Sequence, residues 1–106
     1  MHMRDNGRAV VAPLDGLDPM LEHRVRLAIC ALLARTDEIS FSRFKEVLDQ
    51  TDGNLGAQLR KLEDGKYVAL RREFVERRPV TWYRLTAAGR AALKSHLQHL
   101  SAFVRG

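Results

Sequence analysis

The chain lacks most of the residues on which extracellular frameworks and membrane segments depend. It has a single cysteine, Cys30, among 106 residues, which excludes an internal disulfide framework and a cysteine-based zinc site. No apolar run approaches the length needed to span a membrane, and the N-terminus lacks the apolar core of a signal peptide. We therefore expect one folded domain in a reducing cytoplasm, with no membrane partner.

Patterns typical of catalysis are also missing. The sequence has no nucleophile elbow, no phosphate-binding glycine loop and no cluster of histidines and carboxylates at catalytic spacing. His96 and His99 lie one helical turn apart, but no carboxylate lies between Gly89 and Gly106 to complete a metal site. Cys30 lies among apolar residues, where thiols are usually inert. We predict a protein that is not an enzyme and needs no metal or cofactor.

Acidic residues are scarce in the second half of the chain. Residues 1–52 carry seven Lys and Arg against nine Asp and Glu, whereas residues 53–106 carry eleven against four. The net charge of +5 is therefore concentrated after position 52. Clustered positive charge is typical of a protein with a polyanionic partner, whereas an ordinary solvated surface spreads its charge.

The basic half begins with a segment that predicts an amphipathic helix over residues 52–64. Leu55, Leu59 and Leu62 recur at helical spacing and form its apolar stripe. We expect Asp52 to cap the start of this helix and Gly65 to end it in the left-handed conformation. The opposite face has cations and amides: Gly53, Ala57, Arg60, Lys61 and Asp64, with Asn54 and Gln58 at its flanks. Such a face is either an ordinary surface or one that reads the DNA major groove.

The other elements follow from capping residues and hydrophobic period. Asp18-Pro19 predicts the start of a helix that runs to about Arg35 and is apolar on two sides. Ile39-Ser40 fits a very short strand, and Ser40 fits the cap of a second helix that ends near Asp49. We assign residues 1–17 to a flexible N-terminal arm and residues 18–104 to the folded domain.

After Gly65 the hydrophobic period changes from 3.6 to 2. Residues 67–75 and 80–85 predict two strands, joined by a tip at residues 76–79. Thr86 then fits the cap of a last helix that runs to Val104. The fold class is therefore mainly α with a small β-hairpin (α+β), in the order α-α-α-β-β-α with the very short strand before the second helix.

Three segments resemble the winged helix–turn–helix regulators related to the MarR and ArsR families. LRKLEDGKYV (59–68) is similar to the end of their recognition helix, and TWYRLTAAGRAAL (81–93) to the last strand of their wing and the helix after it. RLAICALLA (26–34) resembles their first helix. The resemblance covers about residues 18–100. It implies a homodimeric transcriptional regulator whose third helix enters the major groove and whose hairpin reaches flanking backbone or minor groove.

The resemblance also implies which residues meet DNA. The residues expected at base edges are Asn54, Ala57, Gln58 and Lys61, since amides and lysine pair well with purines. Those expected at phosphates are Thr51, Arg60, Arg71, Arg72, Arg77 and Arg78. The first and last helices have apolar faces that a twofold mate would cover. The predicted dimer interface is Leu27, Ala31, Leu93, Leu97, Leu100, Phe103 and Val104, with the last helix counted from residue 86.

We expect repression rather than activation, and a small-molecule effector that the sequence does not identify could bind at the dimer seam. The alternative is a winged helix that acts as a protein-interaction module without specific DNA binding, because one fold serves both roles. The charge of the hairpin tip distinguishes DNA binding from protein interaction. An interaction module tolerates a neutral tip, whereas DNA binding needs Arg77 and Arg78.

Overall fold

The structure, a computed structural model, describes residues 12–105. Two short 3-10 segments come first, at Ala12–Gly16 and Pro19–Leu21. They are followed by four helices and three strands: α1 (Arg24–Leu33), β1 (Ile39–Ser40), α2 (Phe41–Leu48), α3 (Asp52–Asp64), β2 (Val68–Val75), β3 (Arg78–Leu85) and α4 (Ala87–Arg105). The predicted fold class is confirmed, including the very short strand. No helix within residues 12–105 is both long and apolar enough to cross a bilayer.

The three strands form an antiparallel sheet in the order β1-β3-β2. The β2–β3 pairing runs from Val68 opposite Leu85 to Val75 opposite Arg78, which leaves a two-residue turn. Ile39 of β1 lies opposite Tyr83, so that β1 adds a third strand at the base of the sheet. The hairpin therefore has a three-stranded base and a two-stranded end that extends beyond it.

The core lies between the helices and one face of the sheet. The predicted apolar stripe of α3 is buried, and Phe44 of α2 packs edge-on against Tyr83 with ring centroids 6.2 Å apart. The other buried apolar side chains come from every remaining helix and from both long strands: Leu21, Val25, Ile29, Cys30, Leu33, Val68, Leu85 and Leu93. Packing against the sheet fixes α3 with its opposite face outward.

The first helix differs from its prediction. Asp18 does act as a cap, since its carboxylate accepts a hydrogen bond from the Met20 N–H at 2.9 Å. The segment it begins is a 3-10 turn, however, and α1 begins only at Arg24. His23 caps α1 by accepting from the Val25 N–H at 3.2 Å. Two side-chain acceptors five residues apart therefore divide the predicted helix in two.

The predicted bounds of α3, residues 52–64, agree with the structure, but each of its two predicted capping residues is wrong by one position. Thr51, not Asp52, is the N-cap, and its hydroxyl accepts from the Asn54 N–H at 3.1 Å. Gly65 has a φ of −79°, and Lys66 takes the left-handed conformation with a φ of 68°. The Tyr67 N–H bonds to the Leu62 carbonyl at 2.8 Å, as in a Schellman motif, and this bond places Lys66 rather than Gly65 at the left-handed position.

The start of α4 is fixed tightly to the start of β2. Thr86 caps α4 as predicted, accepting from the Gly89 N–H at 2.9 Å, and its hydroxyl donates to the Lys66 carbonyl at 2.7 Å. A Cβ at Gly89 would lie 2.2 Å from the Tyr67 carbonyl oxygen, which no side chain tolerates. The direction in which α4 leaves the sheet is therefore set at this contact.

The flexible arm predicted for residues 1–17 lies, as far as residue 11, outside the described residues. From Ala12 the chain forms a 3-10 helix beside α4, where a Cβ at Gly16 would lie 2.1 Å from the His99 ring. The Asp18 N–H then donates to Nδ1 of the buried His96 at 3.0 Å. Residues 12–18 are therefore packed against the last helix rather than free of it.

Candidate nucleic-acid interface

The outer face of α3 contains two glycines that the fold does not require. Apart from its chain neighbours and the nearby backbone of α3 itself, a Cβ at Gly53 or Gly56 would meet no atom of the described residues within 4 Å. Each glycine inside a helix costs about 1 kcal/mol relative to alanine. Packing between α3 and α2 therefore does not explain Gly56, whereas close approach of a partner to the helix backbone does.

Two cations lie beside these glycines. Arg60 and Lys61 are exposed, and no carboxylate of residues 12–105 lies within ion-pair distance of either. Asp52 does have such a partner, because Lys45 of α2 binds it at 2.6 Å. The face forms a shallow groove lined by Asp52, Gly53, Gly56, Ala57, Arg60, Lys61 and Asp64. Its central charges are positive and available to an anion.

Gln58 does not lie on this face, and its predicted position at base edges is wrong. Its side chain is turned towards α1 and the residue is 8% exposed. Its Oε1 accepts from Nη1 of Arg26 at 2.8 Å, and its Nε2 donates to Oδ1 of Asn54 at 3.3 Å. Because α1 packs beside this flank of α3, it covers the amide of Gln58.

These bonds form a continuous chain that holds Asn54. The Arg26 Nε donates to the Met20 carbonyl at 2.7 Å, which fixes the guanidinium, and the Asn54 amide donates in turn to Oε1 of Gln50. Asn54 is exposed, so the chain ends at a group that a partner can reach. Sequence reasoning missed Arg26. The available signal was a second arginine, two residues after Arg24, at the start of an otherwise apolar helix.

The remaining predicted residues of the helix do face outward together. Ala57 is exposed beside Arg60 and Lys61. Thr51 is exposed at the end of α3, where its hydroxyl accepts the capping bond and keeps its own proton to donate. The structure thus brings Thr51, Asn54, Ala57, Arg60 and Lys61 onto one surface, without Gln58.

The proximal hairpin, defined as residues 68–71 and 82–85, holds Arg71 in place. Arg71 donates to both carboxylate oxygens of Glu38 at 2.8 Å and approaches Glu73 at 3.1 Å. Its guanidinium lies 5.6 Å from the ring centroid of Trp82, whose Nε1 donates to Glu73 at 2.7 Å. The guanidinium also holds the pKa of Glu38 below its usual value. Three of the five N–H donors of Arg71 are used by these two carboxylates, so the predicted phosphate contact by Arg71 would have to compete with them.

The distal hairpin, defined as residues 72–81, carries free arginines. Arg72, Arg77 and Arg78 are exposed, and none has an ion-pair partner among the described residues. Glu76 and Arg77 form the turn with φ values of 52° and 68°, the pattern of a type I′ turn. Both turn residues pay the steric cost of the left-handed region, which glycine would avoid. The turn therefore presents a side-chain cation where a neutral glycine is favoured.

The last helix leaves an apolar face uncovered. Leu97, Leu100 and Val104 of α4 are exposed, and Phe103 is half-buried. Ala31 of α1 is exposed too, and Leu27 is half-buried against the core. Leu93 is buried in the core of its own chain, so its predicted place at a dimer interface is wrong.

Cys30 lies in the hydrophobic core. It is fully buried, and burial raises the pKa of its thiol to about 12, so the thiol stays protonated. Among residues 12–105 there is no group of three His, Cys, Asp or Glu side chains that could hold a metal ion. A surface cavity of about 620 Å³ lies between α1, α2 and β3, away from the exposed face of α4.

A family model described as a winged helix DNA-binding domain matches residues 25–104. The chain belongs to this family. In winged-helix terms, α3 is the recognition helix and the β2–β3 hairpin is the wing. The resemblance to winged helix–turn–helix proteins drawn from the sequence is therefore confirmed.

Three similar proteins accompany this family match. The chain is 36% identical over 76 residues to an uncharacterized protein of Methanocaldococcus jannaschii, a match that covers 72% of this chain and 83% of that protein. A transcriptional regulator homologue from Pyrococcus horikoshii is 33% identical with a TM-score of 0.77, covering 82% and 86% of the two chains. A MarR mutant from E. coli, 18% identical with a TM-score of 0.67 over 95% of this chain and 77% of that one, shares the fold.

Proposed function

We propose that the protein is a sequence-specific transcriptional regulator that binds DNA as a homodimer and acts as a repressor. The observation that carries this proposal is the outer face of α3, where two glycines with open space above them adjoin two cations without carboxylate partners. A surface that lets a partner reach the backbone and that offers free positive charge suits a DNA groove. Membership of a DNA-binding family supports the same conclusion.

In this proposal α3 enters the major groove. Asn54, Ala57 and Lys61 face base edges, while Thr51 and Arg60 hold phosphates. The wing then reaches the flanking backbone or the minor groove through Arg72, Arg77 and Arg78, which are exposed on the distal hairpin. Gln58 and Arg71 act within the protein, as positioning residues for Asn54 and for the wing.

The second subunit covers the exposed face of α4. Leu97, at 47% exposure, lies in the middle of that face, and the half-buried Leu27 of α1 supplies its other side. Leu97→Asp should therefore give monomers in analytical ultracentrifugation, because it places a charge in a seam that excludes water. Gln98→Asp, on the neighbouring position of the same helix, is the matched control. A dimer that survives Leu97→Asp would remove this seam from the proposal.

Repression is proposed because a dimer on its operator blocks transcription by occupancy and needs no further contact surface. An effector that binds at the seam between α1 and α4 would act on the relative position of the two recognition helices. We place the protein in the cytoplasm and assign it no enzymatic activity.

The deciding experiment is selection of genomic DNA fragments by the purified protein at near-physiological salt, followed by sequencing. A pseudo-palindrome with half-sites about one helical turn apart is expected for a dimer with one recognition helix per subunit. Retention without an enriched motif, lost as salt rises, would indicate a non-specific DNA binder. If no fragment is retained, the protein-interaction module replaces the regulator.

Two variants test the recognition helix on the selected fragment. Lys61→Ala should cost about 1–3 kcal/mol of binding there and less on random DNA, with Lys94→Ala of α4 as its control. An equal loss on both would make Lys61 a phosphate contact. Gly56→Ala should stabilise the fold by about 1 kcal/mol and weaken DNA binding, because its methyl group enters only the space reserved for DNA. Unchanged affinity of that variant would separate Gly56 from the interface.

A further inference from the structure

The distal hairpin exposes a phenylalanine that the fold does not use. Phe74 is 77% exposed and lies directly opposite Pro79, which is exposed as well. Neither residue belongs to the hydrophobic core or packs against it. A large apolar side chain left in water gives up the stabilisation that burial would bring. The position of Phe74 is therefore better explained by a partner than by folding.

The hairpin holds this apolar pair at its end. Val75 opposite Arg78 closes the two-residue turn, so the alternation of antiparallel pairing makes Phe74 and Pro79 a non-hydrogen-bonded pair. Side chains approach most closely at such a pair. Because this position makes no hydrogen bond between the strands, proline is accepted there although it lacks an N–H. Phe74 and Pro79 thus form one apolar tip.

The side of the sheet on which Phe74 lies is the side that carries the helices. Side chains alternate along a strand, so Phe74 shares a face with Leu70 and Val68, which pack against the core. Val75 lies on the opposite face and is 44% exposed. A duplex bound by α3 is therefore on the side to which Phe74, and not Val75, points.

The surroundings of the apolar tip are cationic. Arg72 lies on the same face as Phe74, and Arg77 lies with Glu76 in the adjoining turn, whereas Arg78, opposite Val75, lies on the other face. Glu73 is held by Arg71 and Trp82. Minor-groove proteins combine these two features: basic side chains follow the phosphates, and an apolar wedge such as phenylalanine or proline enters between base pairs and kinks the duplex. Free arginines beside an exposed Phe–Pro pair fit that use.

We propose that Phe74, backed by Pro79, is a wedge that the wing inserts between base pairs from the minor groove, beside the half-site read by α3. The inference rests on the DNA-binding function proposed above. It adds a source of specificity, because pyrimidine–purine steps such as TA unstack most easily and are selected without a hydrogen bond to any base. The flank of each half-site is then read by deformability.

The test uses a 30-base-pair duplex recovered by the genomic selection, with 2-aminopurine at the steps that flank each half-site. Phe74→Ser should weaken binding about tenfold, leave the salt dependence of the affinity unchanged and abolish the rise in 2-aminopurine fluorescence that the wild type gives. Phe74→Leu should keep most of both signals, because leucine is also a wedge. Val75→Ser, one residue away on the other face, is the matched control and should behave as the wild type.

Each other outcome overturns the wedge in a distinguishable way. Equal affinity and fluorescence for Phe74→Ser and wild type would leave DNA binding intact and remove Phe74 from it. Equal losses in Phe74→Ser and Val75→Ser would assign the effect to hairpin folding. A wild type that binds no duplex would reject DNA binding itself. Phe74-dependent binding to vesicles of phosphatidylserine and phosphatidylcholine, without fluorescence change on the duplex, would assign the tip to a membrane surface.

Discussion

Both halves of the β2–β3 hairpin carry arginine, but Arg71 in one half is held by ion pairs, whereas Arg72 in the other half has none among the described residues. In the proximal hairpin, Arg71 is bound by Glu38 and Glu73 and lies over Trp82. In the distal hairpin, the adjacent Arg72 is exposed without an ion-pair partner among the described residues. Strand alternation sends the two side chains to different faces of the ribbon. Charge alone therefore does not identify a phosphate-binding arginine; its neighbours do.

The largest expected effect is a difference between the distal and proximal hairpin in how their arginines contribute to the salt dependence of DNA binding. Replacing Arg77 and Arg78 together by alanine should weaken DNA binding about 100-fold at low salt, because two phosphate contacts are lost in each subunit. The slope of log affinity against log salt should fall by roughly two for each wing engaged. Fluorescence anisotropy at several salt concentrations measures both quantities.

Arg71→Ala is the control for that comparison. It should leave the slope nearly unchanged, because the guanidinium is already neutralised by Glu38 and Glu73. If Arg71→Ala lowered the slope of log affinity against log salt as much as the loss of one distal arginine does, the ion pairs of Arg71 would have to open on DNA. The two halves of the hairpin would then no longer differ in their contact with phosphate.

The next effect concerns stability rather than binding. Trp82→Ala should lower the free energy of unfolding by about 2 kcal/mol, since it removes the ring beneath Arg71 and the hydrogen bond to Glu73. Phe74→Ser should change stability by less than about 0.5 kcal/mol, because its ring is exposed. Urea denaturation compares the two. Similar losses would mean that the distal hairpin packs more tightly than its exposure indicates.

A smaller effect is expected at the turn. Glu76→Asn should stabilise the fold by about 0.5 kcal/mol, because asparagine adopts the left-handed conformation of a type I′ turn more readily than glutamate. Glu76→Gln removes the same charge without that preference and should have no such effect in thermal denaturation. A stabilised Glu76→Gln would point to charge relief beside Arg77 and Arg78 instead.

The smallest effect is the pH dependence of the proximal ion pair. Because Arg71 lowers the pKa of Glu38 in the folded state, the pair contributes stability above the unfolded pKa and loses it as pH falls through the folded pKa. Between about pH 5 and pH 3, the melting temperature of the wild type should fall more than that of Glu38→Gln. Glu76→Gln, which removes a distal carboxylate, should follow the wild type. Parallel curves for wild type and Glu38→Gln would contradict the coupling.

The sequence predicted the element order and the orientation of α3 because both depend on local signals. The three leucines of α3 and the change of period after Gly65 are readable without tertiary contacts. The N-cap of α3 was misassigned by one residue because Thr51 and Asp52 are both good caps. The contact that settles the other end, from the Tyr67 N–H to the Leu62 carbonyl, belongs to the folded chain.

The candidate site was predicted less completely, for a reason of the same kind. Gln58 and Arg71 have the residue types expected at DNA, yet each is bound by a residue distant in sequence, Arg26 and Glu38 respectively. Leu93 has the same side chain as Leu97 but lies where α4 meets the core. Pairings between distant segments decided these outcomes, and a single sequence carries no record of them.

The contact between Gly89 and the Tyr67 carbonyl fixes the angle of α4 at one end, so that α4 acts as a lever: a small change of angle there becomes a large displacement at the other end. Fifteen residues separate Gly89 from Val104, about 22 Å along the helix, so a tilt of 10° at Gly89 displaces the far end by about 4 Å. In the proposed dimer both subunits use this lever, and its angle sets the distance between the two recognition helices. The spacing of half-sites that one protein accepts is then determined at a helix–strand joint, and a change of residue there alters the operator without touching any side chain that contacts DNA.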